Sequence, residues 1–118
     1  MTIMVRGELR ARPGRRAEFL AVVAALAEAA ASEPGTLRYD WYHGEGEDEF
    51  VVLEDYTDPA AAVAHNQHCA ELLGRVPELA DMTAVRLHGD LGPDLEGWVK
   101  ENPIAHAHPP LDLGGHTG

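Results

Sequence analysis

Two histidines three residues apart, His65 and His68, with Asn66 between them, form the densest group of proton-handling side chains in this sequence. On a continuous helix His65 shares a stripe with Ala61, Ala62, Cys69, Leu72 and Val76, so its ring faces inward rather than to water. An imidazole in an apolar pocket is suited to taking a proton from a phenol or an activated carbon. The same placement fits a core histidine satisfied by one backbone carbonyl, and the residues alone leave both readings open. His68 either serves the same pocket or marks a helix break at the surface, and Asn66 either orients a substrate carbonyl or accompanies that break. As metal ligands the two histidines need a third donor, such as Glu71. Pairs at this spacing are more often fortuitous, so no metal is expected.

Glu54 is an acid inside an apolar segment, where it must either pair with a cation such as Arg86 or do chemistry. Tyr39, Trp41 and Tyr56 can line a flat pocket and stack on a polycyclic ligand, with a phenol to orient a carbonyl. They fit a core and a subunit interface equally well. Trp98 stands in a polar segment and should dock, for instance as a lid over a neighbouring subunit's pocket. His106-Ala107-His108 with His116 invites a metal reading, and the spacing also suits a strand-like clip, but the surrounding prolines and glycines point to a solvated segment. His43 falls at a hairpin edge.

The elements that carry these residues follow from periodicity. Ile3, Val5, Leu9 and Ala11 alternate with polar neighbours, which predicts a first strand. From Arg15 to Ala31, Phe19, Val22, Val23, Leu26 and Ala30 recur at helical spacing, and Ser32-Glu33-Pro34-Gly35 ends that helix. Thr36–His43 alternates again, with Leu37, Tyr39, Trp41 and His43 on one face. A polar loop, 44–48, leads to a third strand, 50–56, apolar enough on both faces to be covered on both sides. Asp58-Pro59 opens a helix through about Arg75, interrupted near 66–68 and stopped by Pro77. Residues 82–89 form a fourth strand, with Thr83, Val85 and Leu87 on one face and Met82, Ala84, Arg86 and His88 on the other. The order strand, helix, strand, strand, helix, strand predicts an α+β, ferredoxin-like βαββαβ domain with a four-stranded antiparallel sheet. Residues 1–91 form that domain, and 92–118 a C-terminal tail, partly disordered or wrapping the partner subunit, with one short helix around 95–100.

At 118 residues the chain has room for one domain, and a second copy would cover the open sheet face. A formal charge of −11 argues against nucleic acid and against anionic membranes. One cysteine excludes an internal disulfide and suits a cytoplasmic protein, and no run is apolar enough to span a membrane.

Four stretches carry a family resemblance. Arg12-Pro13-Gly14-Arg15-Arg16-Ala17-Glu18-Phe19, Glu33-Pro34-Gly35-Thr36-Leu37-Arg38-Tyr39-Asp40, Phe50-Val51-Val52-Leu53-Glu54-Asp55-Tyr56 and Ala64-His65-Asn66-Gln67-His68 resemble segments of the antibiotic-biosynthesis monooxygenase-like family. The histidines depart from it in being three rather than about five apart. The first strand also lacks the asparagine that haem-degrading members carry, which disfavours haem. The resemblance implies a dimeric α+β barrel. It further implies a cofactor-independent oxygenase that converts an electron-rich aromatic, polyketide- or anthrone-like, with O2 to a quinone. His65, His68 and Asn66 would then be catalytic, and Tyr39, Trp41, Glu54, Tyr56, Arg86 and Trp98 would bind substrate. A polyketide cyclase or isomerase using the same pocket without O2, and a non-catalytic ligand-binding dimer, are the alternatives. No nicotinamide or flavin fingerprint is present.

Overall fold

The computed structural model describes residues 2–114. In β1 (Ile3–Ala11) strict alternation buries Ile3, Val5, Gly7, Leu9 and Ala11 and exposes Met4, Arg6 and Arg10. Helix α1 (Arg16–Ala31) turns Phe19, Val22, Val23, Leu26 and Ala30 onto the sheet, the face its spacing predicts. Strands β2 (Thr36–His43) and β3 (Glu49–Tyr56) form an antiparallel hairpin, and β3 then pairs with β1. Helix α2 (Pro59–His68) starts where the Asp58 carboxylate accepts the Ala61 N–H at 2.8 Å, with Pro59 in the first turn. Helix α3 (Ala70–Leu79) leads into β4 (Ala80–His88). The chain continues through α4 (Gly92–Glu101) and β5 (Ala105–His108).

The fold is the expected α+β ferredoxin-like order, with one correction. The sheet has five strands, ordered β2-β3-β1-β4-β5, and β5 runs parallel to β4. Residues 92–108 are therefore not a loose tail. They make a strand–helix–strand crossover, the connection that parallel strands require. Leu91, Leu95 and Ala105 bury themselves against Val85 and Leu87, which is enough apolar surface to hold the segment despite its prolines. His116 lies outside the described residues.

Smaller departures share one cause. Leu37 sits at a register shift between β2 and β3 and is 58% exposed, and Thr83 is the extra residue of a bulge opposite Glu8 and Leu9. An inserted residue breaks the period of two and sends a side chain to the other face. The helix break falls at Cys69, just past the predicted 66–68, and Pro77 lies within the last turn of α3 instead of ending it.

The turn between α1 and β2 fits tightly beneath the start of α2. Thr57 N–H donates to the Gly35 carbonyl at 2.9 Å, and a Cβ on Gly35 would lie 2.5 Å from that of Ala61. Gly35→Ala should therefore destabilise the protein by about 1–3 kcal/mol through forced displacement of this contact. Urea unfolding with an unchanged m value would show it, and an unmoved midpoint would contradict the packing argument.

Candidate active site

Glu33 follows α1 by two residues and accepts from four side chains. Its Oε1 takes the Nδ1 proton of His65 at 2.7 Å and the Thr36 hydroxyl at 2.7 Å. Its Oε2 takes the Nδ1 proton of His68 at 2.6 Å and the Cys69 thiol at 3.5 Å. Burial, the largest single influence, pushes the Glu33 carboxyl upward. Hydrogen bonds from His68, Thr36 and His65 together outweigh it and hold the group at about 2. An ionised carboxylate can only accept, so both histidines carry their proton on Nδ1. The Cys69 thiol is pushed up to about 11, by burial and then by Glu33, and stays protonated.

The other ring nitrogen of His65 faces a second carboxylate. His65 Nε2 lies 3.9 Å from Glu54 Oε1, and the Tyr56 hydroxyl donates a short hydrogen bond to that same oxygen. Burial drives the Glu54 carboxyl above the ordinary range, and neither Tyr56 nor His65 offsets it. The phenols of Tyr39 and Tyr56 are driven up by burial first and by the Glu54 charge second, so both remain protonated. Their rings flank the imidazole at 5.1 and 5.6 Å between centroids.

A cavity of about 590 Å³ opens beside this group, between the helices and the sheet. Its wall includes Glu54, Tyr39, Tyr56, Trp41, Asn66 and Trp98. Arg12 and Asp81 border it as well, but they are exposed and pair with each other at 3.0 Å. Among the described residues Glu54 has no Arg or Lys partner, and it is thus the carboxylate without a guanidinium or ammonium partner that the cavity meets. The volume suits a ligand of several fused rings, since such sites run from roughly 300 to 1,000 Å³.

The sequence-predicted residues divide accordingly. Glu54, Tyr39, Tyr56, Trp41, Asn66 and Trp98 come together on the wall. His65 is 2% exposed and lies behind Glu54; its Nδ1 partner is a carboxylate, where the structural reading of the sequence supposed a backbone carbonyl. His68 is half exposed at the end of α2. Trp98 docks on its own chain's cavity through α4. Arg86 is the misplaced member: it lies in register with the exposed Arg6, whereas Glu54 lies in register with the buried Val5. The two occupy opposite faces, with β1 between their strands, and Arg86 instead donates to His108 Nε2 at 3.1 Å. His106 and His108 belong to β5, and the ring of His108 stacks on His88 at 5.0 Å.

Glu33 and Cys69 escaped sequence reasoning as site residues. A signal for Glu33 existed: an acid at the negative end of α1 is unfavourable unless something else holds it. With His65, these two put one donor atom each within 4.8 Å of one another, while Glu71 does not join the group. The O–N spacings of 2.6 and 2.7 Å are those of direct hydrogen bonds. Ligands on a tetrahedral zinc would stand roughly 3.3 Å apart, given bonds of about 2.05 Å. The cluster as arranged is a hydrogen-bond network.

Residues 2–72 match the sequence model of the family described as antibiotic biosynthesis monooxygenase. An uncharacterised protein of Synechocystis sp. is 32% identical over 80 residues, which takes in 65% of this chain and 54% of that one. The chain thus spans about half the length of that relative. Among solved structures, MupZ from Pseudomonas fluorescens superposes with a TM-score of 0.77 at 21% identity, over 98% of this chain and 94% of MupZ, α4 and β5 included. SnoaB from Streptomyces nogalater, a cofactor-independent oxygenase, superposes with a TM-score of 0.65 at 19% identity, over 73% of this chain and 89% of SnoaB. At these identities the likeness is one of fold.

Because the Glu33 carboxyl is depressed, the stability it confers is present above its unfolded value of about 4.3 and is lost as pH falls towards 2. The stability advantage of wild type over Glu33→Gln should therefore shrink, by on the order of 3 kcal/mol, between pH 5 and pH 2. Urea midpoints across that window measure it. A constant difference would mean that the carboxyl is not held ionised by its donors.

Proposed function

The chain belongs to the antibiotic biosynthesis monooxygenase family, and from that premise we propose that it oxidises an electron-rich polycyclic aromatic, anthrone- or polyphenol-like, to a quinone. Dioxygen is the co-reactant, and no flavin, haem or metal takes part. The observation that carries this reading is Glu54: a buried carboxylate with raised proton affinity, facing an aromatic-walled cavity large enough for fused rings. A carboxylate stripped of water is a stronger base than one in solution, which is what removal of a proton from an activated carbon or phenol requires.

The reaction then needs little else from the protein. Glu54 takes a proton from the substrate, and the electron pair stays on the ring system as an enolate. That anion is electron-rich enough to reduce dioxygen, and recombination forms a C–O bond to a peroxide. The peroxide gains a proton, the second C–H proton leaves, and the O–O bond breaks. One oxygen atom remains as the new carbonyl and the other departs as water. Tyr39 supplies a protonated phenol and Asn66 an amide on the wall to hold the enolate oxygen. Trp41 and Trp98 provide flat apolar surface for stacking.

A homodimer is part of the proposal. The sheet face turned away from the helices carries Met4 and Tyr42, both exposed, alongside Val51 and Leu53 of β3. A second copy of this chain would remove that surface from water. Sedimentation equilibrium should give twice the 12.8 kDa chain mass, and a monomer at micromolar concentration would remove this part of the reading.

For the reaction, metal-stripped protein mixed with a reduced anthrone should consume oxygen and produce quinone above the autoxidation rate. Glu54→Gln should lower kcat/KM by roughly 10²–10⁴-fold. In wild type kcat/KM should rise with pH through an apparent pKa above the ordinary glutamate value of about 4.3, because burial favours the protonated acid. Substrate turnover without oxygen uptake would point to a cyclase or isomerase, and binding without turnover to a ligand-binding dimer.

A further inference from the structure

We propose that the proton taken from the substrate comes to rest on His65 Nε2, behind the cavity wall, and that Glu33 is the positioning residue that makes His65 able to hold it. The identity of the substrate rests on the monooxygenase reading above; the relay itself rests on the arrangement of Glu33, His65 and Glu54.

Glu33 and Glu54 lie against the two different ring nitrogens of His65. Glu33 Oε1 accepts from His65 Nδ1 at 2.7 Å, and His65 Nε2 lies 3.9 Å from Glu54 Oε1, which belongs to the residue on the wall. Glu33 fixes the tautomer, so the neutral ring keeps its free lone pair on Nε2, the nitrogen nearest Glu54. The imidazole cannot meet substrate itself, since it is 2% exposed and Glu54, Tyr39 and Tyr56 stand before it. The gap exceeds hydrogen-bond length by about 1 Å, within reach of a rotamer adjustment of Glu54. Once Glu54 has taken a proton, it can pass that proton to Nε2 and return to its basic form.

Titratable groups face His65 from several elements. Glu33 faces it from the turn after α1, Glu54 and Tyr56 from β3, Tyr39 from β2, and Cys69 from the end of its own helix at 3.8 Å. Both phenols and the thiol stay neutral, so the standing charge that faces the ring is Glu33, joined by Glu54 once it has passed its proton on. His68 shares Glu33 through its other oxygen and keeps that carboxylate from turning away.

The bookkeeping closes. The substrate C–H bond breaks and its electron pair stays on carbon. The proton moves from Glu54 to Nε2, giving an imidazolium between Glu33 and a regenerated Glu54 carboxylate. After dioxygen adds, the same proton returns through Glu54 to the peroxide oxygen. The relay is then ready for the second C–H proton, which it delivers to the departing hydroxide as water.

The test uses the 118-residue chain labelled with ¹⁵N-histidine and 1,8-dihydroxyanthrone under anaerobic conditions, which stops the reaction at the enolate. In free wild type, His65 should show the Nδ1–H tautomer with a downfield Nδ1 proton, and that proton should be lost in Glu33→Gln. On adding substrate, enolate absorbance should appear and both ring nitrogens of His65 should become protonated. Glu33→Gln should form less enolate and keep His65 neutral, while Glu33→Asp, which retains the charge, should recover part of both signals. In aerobic turnover Glu33→Gln should lower kcat by about tenfold or more, with KM changed by less than about threefold. Enolate with His65 still neutral in wild type would overturn the relay and leave the oxygenase reading standing. No enolate at all would overturn the oxygenase reading and the relay with it. An Nε2–H tautomer in free wild type would overturn the role of Glu33 alone.

Discussion

The helix layer and the chemistry beside it both hang on one buried carboxylate. A charge withdrawn from water costs several kcal/mol unless its oxygens are occupied, and Glu33 has both occupied by donors from different parts of the chain. Thr36 begins β2, His65 and His68 lie in α2, and Cys69 stands between α2 and α3. Meeting Glu33 therefore fixes where α1 ends, where β2 begins and where α2 breaks. The break at Cys69, whose N–H closes on the His65 carbonyl at 2.9 Å, lets His68 and the thiol share Glu33 Oε2. Gly35 belongs to the same constraint, because any side chain there would hold α2 off the turn.

The second constraint is the far end of the cavity. Sheet and α1 close one side through Leu9, Val52 and Leu26, and α4 closes the other with Leu95 and Trp98. Residues 2–72, which carry the family match, supply Glu33, His65 and Glu54. The wall added by α4 and the strand that anchors it lie beyond that match. In physical terms the proton-handling part and the shape-determining part are separable. The first depends on hydrogen-bond geometry, the second on which apolar and aromatic side chains α4 turns inward. A change in α4 alters what fits and leaves the carboxylates where they are.

How much of this was legible in the sequence depended on the range of the interaction concerned. The alternation in β1 and the stripe from Phe19 to Ala30 are local patterns and read directly onto the structure. Leu37 and Thr83 defied the same alternation because a bulge is decided by the partner strand. Strand β5 has four residues, Ala-His-Ala-His, too few for a period to show, and it exists through its pairing with β4. Among the site residues, Glu54 stood out as an acid in an apolar strand. Its assignment to Arg86 failed because facing depends on register carried across β1. Glu33 was harder to read for a similar reason: its place at the negative end of α1 calls for a partner, but the partners lie 32 and 35 positions away.

Burial pushes both carboxylates that face His65 upward, yet they end at opposite extremes. Glu33 is drawn down to about 2 because its oxygens are filled with donors, while Glu54 is driven up because one phenol is too little compensation. Environments that split two like groups in this way assign them different work. An acid held permanently ionised makes a poor base, since it has no affinity left for a substrate proton, but it serves well as a fixed charge. A carboxylate short of donors is the reverse, and it is the one on the cavity wall. The imidazole between them can exchange a proton with Glu54 while Glu33 holds its orientation. Adding a donor to Glu54 would lower its carboxyl and so weaken it as a base.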